Sequence, residues 1–264
     1  MNSLRAVFIY EWKRTLTLGR IAWWFAMAAF PVMITILIRT LSNAESQIDI
    51  ATQKTTWSMT LYALIPGVCV ALSVLLTAAP AVASELEQRS WAYLATRPNG
   101  IFWLLLGKYL VSVTWGTTAA WLGTAFSVAL CGMDEKLRML LSLLALSLLS
   151  AIAYSAVYML VGAIFPKRAM VFCMMYTVIV ELVFGSIPAV INRMTVQFRL
   201  RTLFVNWMPL DKRMMEDSVF QYVMIDGSSF MQCFWLITLS VLFLVAAIVV
   251  AHRKEFTSAT EGDV

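Results

Sequence analysis

The charged residues in the middle of this chain are concentrated in one short segment, residues 82–100, which reads VASELEQRSWAYLATRPNG. Uncharged sequence precedes it from Thr55 to Ser84, and a largely apolar stretch follows it. Carboxylates and guanidinium groups form ion pairs with a partner protein, and aromatic side chains anchor interfaces. The segment therefore predicts either a protein docking surface or a solvated connector. The candidate docking residues are Glu85, Glu87, Arg89, Trp91, Tyr93 and Arg97.

A second candidate is Glu181, the carboxylate that lies well inside a long apolar run. Charges inside a membrane are costly, so we expect this one to face the protein interior or a water-filled cavity. One interpretation places it on a substrate pathway or gate. The other is structural: Glu181 is protonated, or it is hydrogen-bonded to Tyr154, Ser155 or Tyr158.

The remaining reactive residues do not predict catalysis by this chain. The run Gly100–Tyr109, GIFWLLLGKY, has six residues between its glycines, and Tyr109 follows Lys108, whereas a phosphate-binding loop needs four residues and then Lys-Ser or Lys-Thr. We expect Lys108 to snorkel toward the lipid headgroups instead. The single histidine, His252, and the scattered carboxylates form no cluster for metal binding or proton transfer. We expect no catalytic residues, no metal and no cofactor bound by this chain.

The four cysteines also predict no metal site. Cys69, Cys131, Cys173 and Cys233 lie far apart and form no CxxC pair. A bridge between Cys131 and Cys233 is conceivable at the outer helix ends, but packing as small apolar residues is the favoured interpretation.

Composition identifies the class of protein. The chain has 264 residues, of which 61% are hydrophobic and 13% are charged, and its mean hydropathy is +0.78. Soluble proteins carry about 25% charged residues. The sequence therefore predicts an integral membrane protein, and its formal net charge of +5 indicates a basic membrane face rather than a nucleic-acid partner.

Six segments reach the length of about 20 mostly apolar residues that a transmembrane helix requires. Each should be helical, because lipid offers no partner to backbone amides. The predicted fold is a single all-α membrane domain over residues 1–264. The predicted spans are Ile21–Thr40, Leu61–Val82, Leu110–Cys131, Met139–Phe165, Ala169–Ile191 and Met231–Ala251.

Basic residues in the short loops predict the orientation. With both termini in the cytoplasm, the cytoplasmic segments carry eleven Lys and Arg and the first two outer loops carry four. The long loop between the fifth and sixth spans adds five more on the outside, but long segments follow the rule less closely than short loops. Residues 1–20 do not resemble a secretory signal, and Leu4, Phe8, Trp12 and Leu16 recur on one stripe, which favours an interfacial helix over a disordered tail. Residues 192–230 form an extended outer segment between the fifth and sixth spans.

In this orientation, residues 84–100 form a cytoplasmic connector between the second and third spans. Ser84 can cap a helix, and Glu85 and Glu87 in its first turn would complement the helix dipole. The Arg97–Gly100 turn would end it. Two antiparallel spans need far fewer joining residues, as Pro166–Arg168 indicates, which favours docking over a simple connector.

The order of these features resembles the permease subunit of a type-2 ABC transporter over nearly the whole chain. The basic helix with YEWKRTL resembles the connecting helix of that family, and SELEQRSWAYLATRPNGIFWLLLGKYL resembles its segment around the third span. The long last outer loop, 192–230, corresponds to a gate-like segment, although Trp207 and Met208 separate Asn206 from Pro209 where the family has a tighter proline-centred turn.

The resemblance implies that residues 84–100 are a coupling helix that docks on an ABC ATPase. Two such ATPase subunits would bind ATP and Mg and drive export or flipping, while this chain is non-catalytic. A homodimer of permease chains in the cytoplasmic (inner) membrane is implied, in contact with membrane lipids, with a heterodimer as the alternative. A secondary transporter or channel that works without an ATPase is the alternative function.

Overall fold

The computed structural model describes residues 2–42, 50–91, 93, 96–131, 136–183, 185, 195–208 and 228–254. The predicted outer segment 192–230 lies largely outside these residues. Within them, all regular secondary structure is helical, in agreement with the all-α prediction. The helices are α1 (Asn2–Thr15), α2 (Leu18–Ser42), α3 (Ile50–Tyr62), α4 (Val70–Ala78), α5 (Ala83–Glu87), α6 (Gly100–Leu130), α7 (Lys136–Ile164), α8 (Ala169–Tyr176), α9 (Val196–Trp207) and α10 (Ser229–Arg253).

Four of the predicted spans are confirmed as helices that are long and apolar enough to cross a membrane. The first span corresponds to α2, the fourth to α7 and the sixth to α10, while α3, α4 and the short helical segments that join them form the second. The bounds of these candidate spans are Leu18–Leu41, Thr55–Ala81, Lys136–Ile164 and Ser229–Arg253.

The third and fifth predicted spans are not among these four. The third lies in α6, which has 31 residues and is about 46 Å long. It is long enough to cross a membrane, but its Gly, Thr and Ser residues lower its mean hydropathy. The fifth begins with α8 and continues as a π-helical segment, Thr177–Val183. Most of its remaining residues, up to Ile191, lie outside the described part of the chain.

The helices α4, α6 and α7 form the centre of the bundle, and glycines allow them to pack closely. A Cβ added to Gly162 of α7 would lie 2.2 Å from the carbonyl oxygen of Ala79. A Cβ added to Gly123 of α6 would lie 2.8 Å from the carbonyl oxygen of Ala28 in α2. Glycines at these positions therefore serve close helix packing.

The helices α2 and α10 lie at the periphery of the bundle. Both expose large apolar side chains, among them Phe25 and Met33 of α2 and Val241 and Leu242 of α10. A face of this size and character is one that lipid, or a second copy of the chain, would cover.

The two ends of the bundle carry different elements. Helix α5 lies at one end, which we call the connector end. Arg14 of α1 contacts this end through Glu85, and Ala251 of α10 packs in the same apolar cluster as Val82. Helix α1 and the end of α10 therefore both contact the connector end. Helix α9 lies at the opposite, far end.

Candidate functional site

The connector is folded differently from the single helix predicted over residues 84–100. Helix α5 has five residues and ends at Glu87, because Arg89 adopts a left-handed conformation with φ 56°. The amide of Ser90 donates to the carbonyl of Glu85, and the amide of Arg89 donates to that of Leu86. These two bonds form a Schellman C-cap, which most often has glycine at the left-handed position.

The beginning and the end of the connector also correct details of the prediction. Ser84 does not cap α5, which begins at Ala83 without a side-chain cap; its hydroxyl donates to the carbonyl of Ala81 at 3.3 Å. The chain turns a second time at Asn99, where φ is 57°, and α6 begins at the next residue. The connector is thus a short helix, a sharp turn at Arg89, helical residues at Trp91 and Tyr93, and a second sharp turn at Asn99.

Glu85 is the centre of a buried charge cluster that sequence reasoning missed. The side chain is 3% exposed, and its Oε1 lies 2.6 Å from Lys108 Nζ and 2.6 Å from Arg14 Nη1. The hydroxyl of Ser90 donates to Oε2. Glu11, also buried, lies 3.4 Å from Arg14. We call Glu11, Arg14, Glu85 and Lys108 the charge cluster.

Lys108 is fully satisfied inside this cluster. Its ammonium donates to the carbonyl of Ala81 at 2.7 Å, to the hydroxyl of Ser84 at 2.9 Å and to Glu85 at 2.6 Å. An ammonium has three donors, and each has an acceptor here. The expectation that Lys108 snorkels to the headgroups is therefore wrong. Its side chain is directed into the protein, where the ion pair with Glu85 offsets the free energy that it costs to remove the ammonium from water.

The electrostatics of the cluster keep Glu85 ionised. Burial alone would raise the pKa of Glu85, but the charge of Lys108 and the hydrogen bonds from Lys108, Ser90 and Arg14 lower it to about 2. Burial likewise opposes ionisation of Arg14, yet the hydrogen bond to Glu85 and the nearby carboxylates raise its pKa. Two acidic and two basic groups thus neutralise each other where α1, α5 and α6 meet.

The six candidate docking residues divide into two groups. Glu85 is engaged inside the protein, so its carboxylate does not face a partner, contrary to the expectation of an external ion pair. Trp91 is half-buried and packs against the apolar cluster at the connector end. The other four are exposed, and we call them the docking surface: Glu87, Arg89, Tyr93 and Arg97.

The docking surface is partly organised by its own contacts. The guanidinium of Arg97 lies 4.3 Å from the centre of the Tyr93 ring and donates a hydrogen bond to the Tyr93 hydroxyl. Other basic residues are exposed at the same end of the bundle, including Lys13, Lys167 and Arg253. The described surface at this end is therefore predominantly basic.

The structure gives Glu181 a specific role at the far end. It is 3% exposed and accepts hydrogen bonds from the amide of Val196 at 3.2 Å, the amide of Gln197 at 2.9 Å and the hydroxyl of Tyr176 at 2.9 Å. These two amides begin α9, whose other cap is the side chain of Thr195. The carboxylate thus fixes the start of α9, where negative charge is favourable.

The two tyrosines predicted as partners of Glu181 lie in the same network but have other contacts of their own. Tyr154 accepts a hydrogen bond from the Gln197 side chain at 2.8 Å, and Tyr158 shares one with Thr177 at 2.6 Å. The structural interpretation of Glu181 thus gains direct contacts, although the principal partners are Tyr176 and α9. The start of α9 has no counterpart in the predicted spans.

Comparison with family models and with curated proteins identifies no relative of this chain. No family model matches the chain, and no curated protein matches it. Among the described residues, no three His, Cys, Asp or Glu side chains converge as metal ligands, and the four cysteines are free thiols. The most developed polar sites in the described part of the chain are the connector end and the cap of α9.

Proposed function

We propose that this chain is the permease subunit of an ATP-driven ABC transporter of the type-2 class. The chain has six spans in this proposal, with α6 as the third and α8 opening the fifth. It acts in the cytoplasmic membrane with both termini in the cytoplasm. Two copies form the pathway, and two ABC ATPase subunits drive export or flipping of a substrate.

The observation that carries this proposal is the fixed connector at one end of the bundle. ATP-driven closure of an ATPase can move a membrane helix only through an element that does not yield under load. Glu85 ties α5 to α6 through Lys108 and to α1 through Arg14. A displacement of the docking surface is therefore passed to α6 and α1 together, as a two-state transporter requires.

The charge of the docking surface indicates which charge the receiving cleft of the ATPase should carry. Because Glu85 is internal, the exposed charges are Arg89 and Arg97 against Glu87. The receiving cleft on the ATPase should therefore be acidic, with an apolar wall for Tyr93. This differs from the basic cleft that the acidic start of α5 alone would predict.

ATP and Mg²⁺ belong to the partner in this proposal. Gly100–Tyr109 is part of the helix α6, and Lys108 is bonded to Glu85, so neither offers the loop and free lysine that cradle phosphate. The orientation is supported by the eleven Lys and Arg on the proposed cytoplasmic segments.

Co-purification tests the proposal. The tagged chain is co-expressed with the ABC ATPase encoded nearest to it and extracted in a mild detergent. We expect the ATPase to co-purify, and the double variant Arg89→Glu, Arg97→Glu to lose it. Lys136→Glu is the matched control, since Lys136 is an exposed basic residue at the far end. Transport by the purified chain alone, without ATPase, would contradict the proposal and favour a secondary transporter or channel.

A further inference from the structure

A shallow groove lies at the far end, between the first turns of α7 and the end of α9. Its volume is about 430 Å³. It combines one guanidinium, one indole, two small polar side chains and two leucines. The lining residues are Leu137, Arg138, Leu141, Ser142, Asn206 and Trp207.

Arg138 is held in a defined position in this groove. Its Nε donates to the backbone carbonyl of Trp207 at 2.9 Å. A guanidinium has five N–H donors, four of them on the two terminal nitrogens. This fork is the group that proteins use to bind phosphate in a bidentate manner.

The length and apolar character of α7 place the groove where this helix would enter a bilayer. The candidate span formed by α7 begins at Lys136, and the α7 residues of the groove, which run from Leu137 to Ser142, lie within its first two turns. Lys136 is itself exposed and adds a second positive charge. Trp207 is the amphipathic side chain typical of membrane–water interfaces.

An apolar track leads from the groove along the bundle toward the membrane centre. Leu137, Leu141 and Leu148 follow one face of α7 and are 70%, 58% and 37% exposed. Trp121 of α6 is 41% exposed beside this face, and its indole nitrogen donates to the carbonyl of Leu144 at 3.0 Å. A positive groove above a lipid-facing apolar track matches the shape and charge of a phospholipid.

We infer that the groove binds one anionic glycerophospholipid, with its phosphate on Arg138 and an acyl chain along Leu141 and Leu148. The negative headgroup is favoured because two basic side chains, Arg138 and Lys136, lie at this point of the interface. The site is independent of the ATPase and of the orientation of the chain in the membrane.

Native mass spectrometry of the purified full-length chain tests the site. The detergent-solubilised protein is titrated with palmitoyl-oleoyl phosphatidylglycerol and, separately, with the phosphatidylcholine of the same acyl chains. We expect tighter binding of phosphatidylglycerol, and we expect Arg138→Gln to weaken it about fivefold. Arg138→Lys, which keeps the charge but not the fork, should lose less.

The matched control is Arg39→Gln, because Arg39 is a basic residue at the far end whose guanidinium also donates to a backbone carbonyl, that of Leu130 at 2.8 Å. It should leave the affinity for phosphatidylglycerol unchanged, and all variants should keep the melting temperature of the unaltered protein, which shows that each is folded. Equal binding of the two lipids by the unaltered chain would overturn the inference. So would full affinity in Arg138→Gln, or an equal loss in Arg39→Gln.

Discussion

Replacing Glu85 with glutamine should destabilise the protein more than any other neutral substitution on the connector. The change keeps the shape of the side chain but removes the charge that holds Lys108 and Arg14, each 2.6 Å away. It leaves the Lys108 ammonium buried with two neutral acceptors. A buried charge that loses its partner is a leading cause of large mutational effects.

The size of the effect follows from the ionisation of Glu85. The pKa falls from 4.5 to about 2, which corresponds to roughly 3 kcal/mol at about 1.4 kcal/mol for each tenfold change in the ionisation constant. Arg14 is 23% exposed, so solvent weakens its share, and we expect about 2 kcal/mol in total. For a chain of this size, this lowers the melting temperature by about 4–8 °C.

The assay is thermal unfolding of the detergent-solubilised protein, followed by tryptophan fluorescence. Glu87→Gln is the control, because Glu87 is the same residue type two positions later but is exposed. The double variant Glu85→Gln, Lys108→Met should lose less stability than the sum of the two single variants, since neither charge is then left alone. Equal melting temperatures for Glu85→Gln and the unaltered protein, or an equal loss in Glu87→Gln, would refute this reasoning.

The remaining predictions concern pH, the cap of α9 and helix packing. Because folding lowers the pKa of Glu85, the stability that Glu85 contributes is fully present above pH 4.5 and is lost as the pH falls toward 2. The difference in melting temperature between the unaltered protein and Glu85→Gln should therefore shrink over that range. A constant difference would contradict the charge cluster. Glu181→Ala should increase hydrogen exchange at the start of α9, because it leaves two amides uncapped at a cost of about 1–3 kcal/mol in stability. Glu181→Gln keeps one acceptor and should lose less stability. Unchanged exchange in Glu181→Ala would show that the cap is dispensable. Gly162→Ala should lower the melting temperature, because overpacking against Ala79 costs about 1–3 kcal/mol in the free energy of unfolding. Gly19→Ala should not, because its added Cβ meets nothing within 4 Å. Equal melting temperatures for these two variants would count against the close helix contact.

Four of the six predicted spans are confirmed as candidate membrane helices, because hydropathy is a local property of the sequence. The first, fourth and sixth predicted spans differ from the structural candidates by no more than three residues at either end. The all-α class follows from the same property, since lipid requires internal hydrogen bonding.

The charge cluster was not predictable because its members are far apart in the chain. Arg14 and Glu85 are separated by 71 positions, and Lys108 and Glu85 by 23. Position near a span end favours snorkelling for an isolated lysine, and only the fold reveals an internal partner. Likewise, the position of Glu181 inside an apolar run indicated that its side chain is buried. No pattern in the sequence identifies the backbone amides of Val196 and Gln197 as the groups that it caps.

The turn at Arg89 was missed for a different reason. A left-handed conformation costs an ordinary residue about 1–2 kcal/mol, so sequence rules assign such caps to glycine. Here the two cap hydrogen bonds to Glu85 and Leu86 and the burial of Glu85 offset that cost. The residue that ends α5 is therefore decided by the cluster and not by local propensity.

Photocrosslinking in intact cells provides the strongest test of the proposed coupling to an ATPase. A photoreactive phenylalanine replaces Tyr93, which is 60% exposed on the docking surface, and a second variant carries it at Leu137, which is 70% exposed at the far end. We predict an adduct with an ABC ATPase from position 93 and none from position 137, with the products identified by mass spectrometry. An impermeant reagent that labels a cysteine at position 93 from outside the cell, with no ATPase adduct, would contradict the proposal.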